Sequence, residues 1–187
     1  AGRKNIVNQL SRVIAAVVFL MGLLAAQNAT LEEGERLLEQ GELNRAAAVF
    51  EEATRAEPEN SAAWAGLAKA HDRTGNPLTA VDAYNRSLTI DPNQPQTWLS
   101  LGNLYYHGEN ATGARQAYEG AIRYDPDNPK AHNNLGNVLR ELGKLEEAIV
   151  SYRKALAINP NLAEAHYNLG TVFHDLHRLE EAEDSYQ

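Results

Sequence analysis

The 187-residue sequence contains no cysteine, which excludes disulfides, thiolate metal sites and a cysteine nucleophile. Acidic residues are missing from its first part: all 25 lie after residue 26, whereas Arg3, Lys4 and Arg12 lie before it. Subtracting those three charges from the net charge of −8 leaves −11 on residues 27–187, a surplus that opposes nucleic-acid phosphate as a ligand of that part. No Walker loop, H-E-x-x-H or G-x-S-x-G motif occurs, so no catalytic residue, metal or cofactor is expected. The apolar fraction of 43% and charged fraction of 22% are those of a folded protein with a packed core.

At the N-terminus a polar, basic stretch over residues 3–12 precedes the apolar run from Val13 to Ala26. That order is the layout of an export signal. No charge appears between Val13 and Leu31, so an uncleaved signal-anchor helix over residues 13–31 is the companion expectation. Residues 1–26 are accordingly read as signal peptide or signal-anchor helix. With the basic flank on the cytoplasmic side, the rest of the chain is expected on the extracytoplasmic, periplasmic-type side, exported or membrane-anchored.

From residue 27 onward the chain repeats every 34 residues. Pro58, Pro92, Pro126 and Pro160 are 34 apart. With this proline at place 32, the units are 27–60, 61–94, 95–128, 129–162 and a partial 163–187. Place 7 holds Leu67, Leu101, Leu135 and Leu169; place 8 holds Gly34, Gly102, Gly136 and Gly170, with Ala68 in unit two. Place 20 is alanine in all five units, and place 24 is Phe50, Tyr84, Tyr118, Tyr152 and Tyr186. Within unit four, AHNNLGNVLREL and EEAIVSYRKALAI have helical apolar spacing and are split by Gly143, so each unit is two helices joined by a tight turn. One such hairpin cannot bury both faces, and neighbours must stack.

Trp98, Leu101, Gly102, Tyr105, Ala114, Tyr118 and Pro126 match the pattern W-x2-L-G-x2-Y, A-x3-F, P, so residues 27–187 resemble the tetratricopeptide-repeat family. The resemblance implies an all-α, right-handed superhelical solenoid of antiparallel helix pairs, here behind one hydrophobic N-terminal helix. Nine helices are expected after residue 27, with a tenth, incomplete one from about Glu180. Unit one departs from the pattern at Thr30 and Glu33 and reads as a terminal cap. Because the chain starts with Ala1 and stops within unit five, further residues are expected on both sides, and Leu179, Ala182 and Tyr186 are expected to form an uncovered edge prone to self-association.

The family's first helices line a groove, with places 2, 5, 6, 9, 12 and 13 directed to ligand. Place 6 carries Asn134 and Asn168, and place 9 carries Asn103 and Asn137. Asparagine offers both acceptor and donors, so a ladder of them suits the amides of an extended peptide. The ladder is similar to that in protein O-linked N-acetylglucosamine transferases. Tyr106, Arg140 and Tyr167 at places 12, 12 and 5 would add side-chain preference, and replacing the asparagines with alanine is expected to leave folding unchanged.

Several other groups have ordinary structural readings. His132 and His166 occupy the family's bulky packing place 4. His174 and His177, with Asp175, match no standard metal spacing, and Glu146-Glu147 and Glu180-Glu181 read as solvated faces. The sequons at Asn28, Asn85 and Asn110 matter only in a secretory setting. Lys69 beside Ala65 lacks the carboxylate clamp of chaperone-tail binders. The expected function is a non-catalytic scaffold or assembly factor binding a protein or extended peptide. The alternatives are the repeat region of a larger enzyme such as a glycosyltransferase, and a structural oligomer built through stacked repeat edges.

Overall fold

The computed structural model describes the backbone of residues 2–186 and the side chains of residues 12–18, 21 and 28–186. These residues form ten α-helices and, among the described residues, no strand. The helices are α1 Gly2–Glu39, α2 Leu43–Ala56, α3 Ser61–Arg73, α4 Pro77–Ile90, α5 Pro95–His107, α6 Ala111–Tyr124, α7 Pro129–Glu141, α8 Leu145–Ile158, α9 Ala163–Asp175 and α10 Leu179–Tyr186. The chain divides into two compact units, residues 1–83 and 84–187, with α4 running across the division.

Local chemistry sets the helix ends. The side chains of Asn60, Asn110 and Asn128 accept from the backbone N–H three residues on, satisfying a donor that the first turn leaves unpaired. Pro95 and Pro129 open α5 and α7, where a missing N–H costs nothing. Every hairpin turn closes in the same way, the N–H of place 16 donating to the carbonyl of place 11 from Glu42 to Arg178. The residue at place 15 takes a left-handed conformation in all five turns: Gly41, Gly75 and Gly143 at φ 76°, 78° and 72°, and Glu109 and His177 at 58° and 59°. This is the six-to-one closure that favours glycine after a helix.

In the first unit α1 packs on α2 and α2 on α3, around Leu37, Leu38, Ala46, Phe50, Ala63 and Ala68. A Cβ added to Gly34 would lie 2.5 Å from the Phe50 ring, so glycine at place 8 is what admits the aromatic at place 24. In the second unit, each helix from α5 to α9 packs on the next, and α9 on α10. Tyr118 and Tyr152, 1% and 0% exposed, each belong to a buried apolar cluster of this unit.

Two differences from expectation appear. The N-terminal helix and the first helix of unit one are one continuous α1, without a break at residue 26. No glycine or proline lies between Leu23 and Glu33, and Ala25 and Ala26 are strong helix formers, so no breaker forces the helix to stop there. Val13, Ile14, Val17, Val18 and Met21 on α1 are exposed. Among the described residues, no helix is long and apolar enough to cross a membrane; side chains 19–20 and 22–27 of the expected membrane segment lie outside them. The second difference is Ala182, which is 3% exposed within a core cluster, whereas Leu179 and Tyr186 are exposed.

Candidate functional site

The seven sequence-selected residues lie on three helices of the second unit: Asn103 and Tyr106 on α5, Asn134, Asn137 and Arg140 on α7, and Tyr167 and Asn168 on α9. The structure ties the asparagines into a connected chain. The Tyr118 hydroxyl donates to Asn103 Oδ1 at 2.8 Å, and Asn134 Nδ2 donates to the same oxygen at 3.1 Å. Asn133 Nδ2 donates to Asn134 Oδ1 at 3.4 Å, and Asn168 Nδ2 donates to Asn133 Oδ1 at 3.1 Å. The chain thus joins α5, α7 and α9 through side chains alone. Asn137 stands apart from it and accepts from the Tyr152 hydroxyl at 2.8 Å.

Asn103 and Asn137 are therefore partners of the core. This corrects the expectation that alanine substitution leaves folding unchanged, since Tyr118 and Tyr152 are buried and their hydroxyls need acceptors. Burial also pushes both phenols well above the usual tyrosine range. The sequence did carry a signal for this pairing: Asn103 with Tyr118 and Asn137 with Tyr152 are both 15 residues apart. Asn133, buried at place 5 and the link between α7 and α9, was not among the selected residues.

The remaining three side chains differ in setting. The Glu141 carboxylate beside the Tyr106 hydroxyl, together with partial burial, raises the pKa of that phenol. Arg140 is half-buried on α7. Tyr167 is 65% exposed and its ring lies 6.0 Å from that of Tyr186. These two tyrosines border a cleft of about 440 Å³ with Pro160 and His166.

The place-4 rings share one function. Trp64 and Trp98 donate Nε1–H to the carbonyls of Pro58 and Pro92 at 2.9 and 2.8 Å. His132 and His166 put Nε2 2.9 Å from the carbonyls of Pro126 and Pro160, a contact that needs the Nε2–H tautomer. Both histidines are thus structural replacements for tryptophan. His174 lies 3.9 Å from Asp175, and no group of potential metal ligands occurs among the described residues.

Comparison with known proteins agrees with this architecture. Tetratricopeptide-repeat family models match residues 31–95 and, as two copies of a second model, 102–139 and 136–176. No match was found among curated protein sequences. Among solved structures, MamA superposes with a TM-score of 0.78 at 22% identity, covering 82% of this chain and 90% of MamA. YrrB, described as a tetratricopeptide-repeat protein with an unusual peptide-binding site, gives 0.76 at 20% identity over 83% of this chain and 80% of its own. PilF of Pseudomonas aeruginosa gives 0.75 at 21% identity, over 86% and 73%. With its 34-residue phase, paired helices and repeated ring-to-proline bonds, and with family models matching on both halves of the sequence, this chain belongs to the tetratricopeptide-repeat family.

Proposed function

We propose that the chain is a non-catalytic interaction scaffold that takes a protein or an extended peptide along α5, α7 and α9. Asn103, Asn134, Asn137 and Asn168 form the contact row, and Tyr106, Arg140 and Tyr167 set side-chain preference. One observation carries this reading: the hydrogen-bond chain that holds amides from three successive first helices in one connected row. Tyr118 and Tyr152 engage the oxygens of Asn103 and Asn137, while the Nδ2 groups of these two residues donate to no described residue. Such amides suit the carbonyls of a peptide main chain, which every sequence offers, so affinity comes with little sequence selectivity. The description of YrrB as having a peptide-binding site supports a peptide as the ligand class.

The test is titration with a pool of unstructured peptides, followed through the asparagine side-chain amide resonances. Saturable shifts at Asn103 and Asn137 are expected, and Arg140→Ala should weaken an acidic pool more than a neutral one. A folded protein whose asparagine amides ignore the pool would remove the proposal.

A further inference from the structure

The first repeat lacks a ring that the other four possess. At place 4, Trp64, Trp98, His132 and His166 each put a ring nitrogen 2.8–2.9 Å from the place-32 proline carbonyl of the preceding repeat. The Trp98 ring also lies against place 26 of its own second helix, where a Cβ added to Gly120 would come within 2.7 Å of it. In the first repeat, place 4 is Thr30 and place 26 is Glu52. Between them the structure has a cleft of about 170 Å³, bordered by Thr30 and Leu31 on α1 and by Glu52, Ala53 and Ala56 on α2. Glu57 and Asn60 also line it, joined by a bond from Asn60 Nδ2 to Glu57 Oε2 at 3.1 Å.

We propose that this cleft is a receptor for the indole ring of a tryptophan on a partner polypeptide, which takes the place of the missing ring. An apolar cavity of about 150 Å³ accommodates a benzene ring, so the cleft takes the six-membered half of an indole with the remainder at its open mouth. The chemistry also matches. Ala53 and Ala56 supply a small apolar wall for a flat ring, and the carboxylates of Glu52 and Glu57 are acceptors for an indole N–H. Tryptophan is favoured over other rings because the two following repeats fill the equivalent position with Trp64 and Trp98. The same carboxylates repel an acidic flank, so the partner's tryptophan sits in a neutral or basic segment. This site lies on α1 and α2, shares no residue with the asparagine row, and stands or falls independently of it.

The experiment is titration of the full chain with N-acetyl-tryptophanamide, read from the methyl resonances of Thr30, Leu31, Ala53 and Ala56. Saturable shifts confined to those methyls are expected, with N-acetyl-leucinamide producing at least fivefold smaller ones at the same concentration. Thr30→Trp should abolish the shifts by filling the cleft from within, and should leave helicity intact. If that variant does not fold, Ala56→Leu blocks the same space and is expected to give the same loss. Absence of shifts in the wild type, equal shifts with the leucine compound, or shifts that persist in a folded blocked variant would overturn the assignment.

Discussion

The hydroxyls of Tyr118 and Tyr152 tie Asn103 and Asn137 to the packed core. Each asparagine oxygen satisfies a phenol that is 0–1% exposed, and in the proposed function each amide nitrogen is the group offered to a ligand. Asn137→Ala should lower folding stability by about 1–3 kcal/mol, the cost of leaving a buried hydroxyl unsatisfied. Adding Tyr152→Phe should recover most of that loss, because the group needing an acceptor is gone. Chemical denaturation of the two single variants and the double variant measures this coupling, and strict additivity would refute it. The place-4 histidines make a related point. Their packing role was legible from the repeat, but the proline carbonyl that selects a ring N–H was not, because sequence spacing shows proximity without orientation.

At the scale of helices and turns, the five hairpins share one closure, yet only three have glycine at its left-handed position. Glu109 and His177 take φ 58° and 59° there, a region that costs a residue with a Cβ roughly 1–2 kcal/mol. His177→Gly removes that strain but adds about 0.5–1 kcal/mol of unfolded-chain entropy, so a net gain of between zero and about 1.5 kcal/mol is expected. Thermal melts of wild type and variant decide it, and a lower melting temperature would count against the strain argument. Gly143 marked its turn in the sequence, whereas nothing in the residue types at Glu109 and His177 signals a left-handed backbone.

Across the whole molecule, both buried phenols resist ionisation, and the consequence is a pH dependence of definite sign. An unfolded tyrosine loses its proton near pH 10, whereas burial raises the folded values of Tyr118 and Tyr152 above that. The stabilisation from keeping them neutral is fully present below about pH 10 and is lost as the pH climbs from there towards the folded values. Circular dichroism and tyrosinate absorbance should therefore change together in strong base. Complete ionisation of all eight tyrosines with helicity unchanged would contradict this.

Legibility also varied along the chain. Pro58, Pro92, Pro126 and Pro160 fixed the repeat phase, and through it the helix pairs, since each proline ends a helix by chemistry that needs no tertiary context. At residue 26 the sequence changes from apolar to polar while the helix continues through it. Composition can shift along a helix without bending its backbone, and only a breaker such as the closure at Gly41 ends it. The asparagine chain was half legible: the rows at places 6 and 9 stood out, while the bonds between helices did not.

That uninterrupted backbone gives α1 a mechanical character. Its 38 residues make a rod about 57 Å long at the standard helical rise. The end of the rod carrying Leu37 and Leu38 is buried in the first unit, while the stretch with Val13, Val17 and Met21 carries exposed apolar side chains. A flexible tether would let whatever engages that stretch wander relative to the first repeat. A rod transmits orientation as well as distance, so a torque applied around Val17 is delivered to the packing of Leu37 and Leu38.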